Sequence, residues 1–148
     1  MAKNKSAKVI MGGTFDILHR GHRALLKRAF GLGETTIGLT SNKMAEKIKK
    51  RKIRNFRDRK KELEKFIEKE FPGKYGIIKI EDKFGPTLKE DFDYLVVSPA
   101  TYQTALLINR KRRKIKKKPI KIVKIRFVLG KNGKPISTSQ MIKGKHHL

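Results

Sequence analysis

The chain has 148 residues, enough for one domain with a real hydrophobic core and too few for two. At 37% hydrophobic and 35% charged, with apolar clusters recurring along its length, it reads as a folded domain with a heavily charged surface, not a disordered chain. It has no cysteine, which excludes disulfide and thiolate chemistry and makes the cytoplasm the simplest address; no apolar run approaches membrane-spanning length, and the opening MAKNKSAK lacks the apolar core of a signal peptide.

Residues 1 to 6 form a basic tail. Residues 8 to 12 (KVIMG) read as a buried strand, and 20 to 30 (RGHRALLKRAF) as a helix with apolar Leu25, Leu26, Ala29 and Phe30, stopped by Gly31 and Gly33. A second strand is expected at 35 to 40 (TTIGLT). The basic stretch from 43 to 54 reads as an exposed segment outside the regular elements. A longer helix follows from about Asn55 to Glu70, with Phe56, Leu63, Phe66 and Ile67 on one face, and Pro72-Gly73 ends it.

Further strands are expected at 76 to 80 (GIIKI), 94 to 97 (YLVV, apolar enough to be central) and 120 to 128 (IKIVKIRFV). A helix from about Thr101 to Arg113 separates the last two. Residues 130 to 134 (GKNGK) suggest a tight turn, and Ser137 or Thr138 can cap a last short helix. Strands alternating with helices predict an α/β fold in a single domain: a doubly wound, Rossmann-like parallel sheet of about five strands with helices on both faces.

In such a sheet, ligands bind beyond the carboxyl ends of the strands. The stretch GGTFDILHRGH (12 to 22) lies there, between the first strand and the first helix, and holds two of the chain's four histidines. Gly12 and Gly13 let the backbone approach a ligand. The helix start offers N–H groups and a positive dipole end, and Gly21 leaves room for a phosphate between His19 and His22, which share one face of the first turn. A zinc site is a poor competitor, because two histidines with only Asp16 nearby fall short of a ligand set. A capping or core histidine pair is the plainer alternative. The phosphate cradle fits more of the pattern, since glycines, threonine, helix start and paired donors agree.

These residues carry a resemblance. GTFDILHRGH resembles the HxGH signature of the nucleotidylyltransferase superfamily. GLTSNKMAEKIK, NFRDRKKELEKFI, DYLVVSPAT, INRKR and PISTSQMI are similar, in order, to stretches of the archaeal phosphopantetheine adenylyltransferases, covering nearly the whole chain. The resemblance implies transfer of AMP from ATP to 4′-phosphopantetheine, giving dephospho-coenzyme A and pyrophosphate, with Mg²⁺ carried on the substrate phosphates and no protein metal site. It implies His22, His19, Lys47 and Thr14 as the catalytic group, and Thr14, Lys47 and Arg59 as contacts to the acceptor. For ATP it implies Gly13, Thr14, Phe15, His19, Gly21, His22, Ser98, Asn109, Arg110, Arg112, Ser137 and Thr138. Two positions depart from the family pattern: Ala100 replaces a glutamate in SPAT, and Gln140 stands where an arginine is usual.

Two other readings remain open. A cytidylyltransferase or FAD-synthetase-like enzyme shares GTFD-x-LH-x-GH, although no RYVDEV-type block is present. A catalytically impaired member that binds RNA is the other, since 39 Lys plus Arg against 13 Asp plus Glu give a formal charge of +26. Such a field draws polyanions, and the run RKRRKIKKK at 110 to 118 concentrates it, although a lysine-rich solvated surface is the simpler account. Few aromatics interleave the basic runs, so any RNA binding is expected to be weak, salt-sensitive and non-specific.

Overall fold

A computed structural model describes residues 7 to 49 and 52 to 126. Five parallel strands form one sheet in the order β3-β2-β1-β4-β5, with β1 Lys8–Gly13, β2 Glu34–Thr40, β3 Tyr75–Ile80, β4 Tyr94–Val97 and β5 Lys121–Lys124. The helices are α1 Arg20–Leu32, α2 Asn42–Lys49, α3 Phe56–Glu70 and α4 Tyr102–Lys114. The expected α/β class, parallel sheet and two covered faces are therefore present. Among the described residues no helix is long and apolar enough to cross a membrane.

The alternation of side chains along each strand splits the core in two. Val9, Met11, Ile37, Leu39 and Val96 face α1 and α3, where they meet Leu25, Leu26, Ala29, Phe30, Leu63 and Ile67. Ile10, Leu95 and Val97 point the other way, toward Ala105 and Ile108 of α4. A strand buried on both faces must be apolar at every position, which is why VIM and YLVV read as continuous runs. YLVV lies inside the sheet, between β1 and the edge strand β5, while β1 holds the centre.

Several boundaries differ from expectation. Gly31 lies inside α1; Gly33 alone closes it, its N–H bonded to the Ala29 carbonyl, and a β-carbon there would meet the Ala7 carbonyl oxygen at 2.4 Å. The basic segment expected to lie outside the regular elements forms α2 over Asn42–Lys49, anchored by one buried residue, Ala45. Its lysines are exposed, and that surplus charge hides a short amphipathic pattern of Met44, Ala45 and Ile48. In α3, Asn55 accepts the Asp58 N–H as N-cap, a contact that contributes about 1 kcal/mol. The expected turn at 130 to 134 and the cap at Ser137 or Thr138 lie outside the described residues, as does Gln140.

Strand order reverses between β1 and β4, so the connections leave β1 and β4 in opposite directions and open a crevice at their carboxyl ends. Gly13, Thr40 and Val97 end three adjacent strands there. The site is built on that edge.

Candidate active site

Gly12 of β1 and Gly38 of β2 stand side by side in register. With no side chains between them and Ile80, they open the floor of a cavity of about 310 Å³ lined by Thr14, Thr40, Phe84 and the start of α4. Most of the remaining lining is aliphatic, so the cavity suits an apolar or amide-bearing chain more than a bare anion. Its charged lining groups are Lys49 and Lys83.

The rim begins in the loop after β1. Phe15 takes a left-handed backbone conformation (φ 47), a strain of about 1–3 kcal/mol for a residue with a bulky side chain. That turn buries its ring under Gly13, where a β-carbon would come within 2.9 Å of it. The same ring lies 4.8 Å from the His22 imidazole, and the His19 and His22 rings stack at 3.8 Å with an interplanar angle of 20°. Phe15, placed at ATP by resemblance, is thus a buried support for the histidines.

Both histidines are tied to the helix start through the same ring nitrogen. His19 is the N-cap of α1, and its Nδ1 accepts the Gly21 N–H at 3.1 Å. His22 Nδ1 accepts the His19 N–H at 3.3 Å, completing a reciprocal capping box. A neutral imidazole whose Nδ1 accepts carries its proton on Nε2. The capping reading therefore holds for both rings through Nδ1, and His22 also hydrogen-bonds the Ile17 carbonyl.

Two details of the expected cradle change. Gly21 does not leave room for a phosphate; the His19 ring fills that space, with Cε1 2.9 Å from where a β-carbon would stand. Its N–H is likewise taken by His19. His22 is held neutral, its pKa pushed down to about 3, first by burial and then by the positive neighbours His19 and Lys49, against the pull of the Ile17 carbonyl.

Lys47 is exposed on α2 and does not line the cavity. Lys49, two positions on, does line it, close enough to depress the His22 pKa. Lys83 also reaches the cavity, near Phe84. Reading by resemblance missed both lysines. The face shared by Met44, Ile48 and Lys49 is the signal that could have found the first, once the segment was recognised as helical.

Three polar residues expected at substrates are structural pins in this structure. Arg59 is 0% exposed, its guanidinium bonded to Arg54 O, Thr14 O, Thr40 Oγ1 and Asn42 Oδ1 at 2.8 to 3.4 Å. Asn109 grips the backbone of Ile120, Nδ2 donating to its carbonyl and Oδ1 accepting its N–H, both at 2.8 Å. Arg112, 1% exposed, donates to the carbonyls of Lys118, Thr87 and Glu90 and to Asp91. The physical reason is common to the last two. The irregular segment from Asp82 to Asp93 and the start of β5 carry backbone groups that no ladder satisfies, and α4 supplies the partners. Arg110 is exposed on α4. Ser98 follows β4, its N–H bonded to Thr101 Oγ1 at 3.2 Å, with Ala100 exposed in the intervening turn.

Asp16, the carboxylate of the loop, accepts both the backbone N–H and Nε of Arg54 at 3.3 Å. Among the described residues no group of three or more His, Cys, Asp or Glu could hold a metal ion.

A glycine-lined cavity at the switch point, an HxGH turn beside it and a cytidylyltransferase-like family model matching residues 10–144 agree with one another. The chain belongs to the cytidylyltransferase-like family. Within that family it is 46% identical over 143 residues to a phosphopantetheine adenylyltransferase of Methanosarcina acetivorans, covering 93% of this chain and 90% of the other. An Archaeoglobus fulgidus protein of the same name is 41% identical over 140 residues, covering 93% and 94%. Among solved structures, a protein of unknown function from Archaeoglobus fulgidus matches with a TM-score of 0.76 and 42% identity, covering 80% of this chain and 88% of that one.

Proposed function

We propose that this chain transfers the adenylyl group of ATP to 4′-phosphopantetheine, forming dephospho-coenzyme A and pyrophosphate in coenzyme A biosynthesis. The observation that carries the reading is the pairing of an HxGH turn with a largely apolar cavity whose wall includes Thr14, in the loop that leads to that turn. The names of relatives at 41–46% identity over most of the chain support the same acceptor. The cavity suits the pantetheine arm, and the rim suits phosphates. This combination favours the pantetheine reaction over a cytidylyl or flavin acceptor.

The acceptor phosphate is largely dianionic near neutral pH, its second pKa being about 6, so an oxygen of it attacks the α-phosphorus without a general base. A new P–O bond forms to the acceptor, the bond to the β-phosphate oxygen breaks, and pyrophosphate leaves with that electron pair. The protein's part is to hold two anions in line and stabilise charge as it spreads over the α-phosphate and leaving group. His19 and His22 are fixed beside this loop by their own caps, Thr14 offers a hydroxyl, and Lys49 brings positive charge to the cavity. Mg²⁺ comes with the triphosphate in this reading, since the described side chains make no cage for it. The cytoplasm is the proposed setting.

The test is pyrophosphate release with ATP, Mg²⁺ and 4′-phosphopantetheine, with CTP and other phosphate acceptors alongside. Release that depends on phosphopantetheine and prefers ATP supports the reading; silence from folded protein with that pair sinks it.

The basic surface supports a second, subsidiary proposal: sequence-independent adherence to RNA. Within 110 to 118 only Arg112 is buried, and the exposed bases around it have no ion pair with a carboxylate among the described residues. Affinity for an RNA oligonucleotide that held steady between low and moderate salt would rule this out.

A further inference from the structure

Beneath the loop after β1 runs a buried chain of donors that ends on Thr14. Arg59 of α3 is wholly buried, and its Nη1 donates both to the Thr14 carbonyl at 3.0 Å and to Thr40 Oγ1 at 3.3 Å. Thr40, the last residue of β2, in turn bonds Thr14 through the two hydroxyls at 3.1 Å. Thr14 and Thr40 both line the cavity.

The direction of this chain is fixed by chemistry. A guanidinium has five N–H donors and no acceptor, so Thr40 Oγ1 must accept from Arg59. A hydroxyl has one proton, and in the bond between the two threonines Thr40 Oγ1 is the donor, so it gives that proton to Thr14. Thr14 Oγ1 is therefore the acceptor of this bond, and its own proton is turned to another partner. A charged donor at the head of a hydroxyl chain also polarises each bond along it.

We propose that Arg59 and Thr40 are positioning residues that set the Thr14 hydroxyl as an obligate donor toward the reacting phosphates. The inference rests on the adenylyl-transfer reading, because it needs an anion at Thr14. A serine or threonine hydroxyl in water turns freely between donating and accepting. Phosphate oxygens in the dianionic state only accept, so every accepting orientation of Thr14 is unproductive. Holding the donor orientation in the free enzyme removes that reorganisation from the reaction, the way fixed dipoles act in an oxyanion hole. The pin on the Thr14 carbonyl holds the loop backbone at the same time. This gives Arg59 a place in the reaction without touching substrate, in contrast to the direct acceptor contact that resemblance implies.

Thr40→Val keeps the shape of the side chain and removes the bond. Pyrophosphate release is measured for the wild type, Thr40→Val, Thr40→Ser, Thr14→Val and the Thr14→Val/Thr40→Val pair, with melting temperatures beside them. Thr40→Val is expected to lower kcat by about 10- to 100-fold, since a misplaced catalytic group can cost that much. KM for ATP should stay within about twofold and Thr40→Ser should recover most of the rate, a rescue that a purely structural role for Thr40 does not explain. In the double variant the Thr40 change should cost almost nothing more, because its effect passes through Thr14. Full activity of Thr40→Val, or a loss that adds in full to that of Thr14→Val, overturns the inference while leaving the adenylyl-transfer reading intact. A silent wild type overturns both.

Discussion

The His19 imidazole occupies the space where Gly21 would carry a β-carbon, with Cε1 2.9 Å from that position. The glycine of the HxGH turn is thus a seat for the first histidine, and the ring seated there caps α1 through Nδ1. Gly21→Ala should leave overall stability nearly unchanged, because alanine in a first helical turn is favoured by up to about 1 kcal/mol and offsets a weakened cap of similar size. The displaced His19 ring, stacked on His22, should lower kcat by about 10²-fold or more, as loss of an aligned donor does. Melting temperature and pyrophosphate release on the same preparation check both halves.

His22 supplies a prediction in pH. Its pKa falls from 6.5 to about 3 on folding, so the folded chain refuses a proton that the unfolded chain takes up between those values. Stability from this group is fully present above pH 6.5 and is lost as pH falls toward 3, an effect on the order of a few kcal/mol. In His22→Asn that part of the acid limb should disappear from the pH dependence of unfolding, and kcat should drop by about 10²- to 10³-fold. The wild-type rate should show an acid limb near pH 6 from the acceptor phosphate, with none from His22 above pH 5. A histidine titrating near 6.5 by NMR at position 22 would contradict the neutral-donor role.

How far the sequence carried these conclusions depended on the kind of signal. The strands were legible because continuous apolar runs such as VIM and YLVV have only one home in a sheet covered on both faces. HxGH pointed to the right chemical class, yet the space beside Gly21 is filled by the His19 ring, since which group fills a glycine's empty side depends on three-dimensional packing. The buried backbone contacts of Arg59, Asn109 and Arg112 were not legible for a related reason. A long polar side chain reads the same in sequence whether it meets a ligand or an orphaned carbonyl, and only the count of unsatisfied backbone groups around 82 to 93 and 120 separates the two. Charge misled at α2, where seven lysine and arginine residues between 43 and 54 obscured a short amphipathic helix.

Asn109 tests that structural role. Its side chain makes two 2.8 Å bonds to the backbone of Ile120 in a buried setting. Asn109→Ala leaves an N–H and a carbonyl without partners, at a cost of about 1–3 kcal/mol for each such group. The melting temperature should fall by several degrees, at roughly 2–4 °C per kcal/mol for a chain of this size. Below that transition KM for ATP should match the wild type. A raised KM with unchanged stability would return Asn109 to the nucleotide.

Lys47 and Lys49 separate the resemblance from the geometry most sharply. Resemblance assigns the phosphate clamp to Lys47, whereas in the structure Lys49 lines the cavity and Lys47 does not. A lysine that acts on the reacting phosphates contributes as a point charge, so its location decides its effect. Lys49→Met should raise KM for the acceptor or lower kcat by about tenfold or more, the scale set by a lost charge-assisted contact of 1.5–3 kcal/mol. The same substitution should also let the His22 pKa rise, because Lys49 is one of the charges holding it down. Lys47→Met should change neither quantity by more than a factor of about two, the range of surface substitutions within ±0.5 kcal/mol. The reverse ranking in a side-by-side kinetic comparison would mean that α2 turns on binding substrate, carrying Lys47 inward to the phosphates.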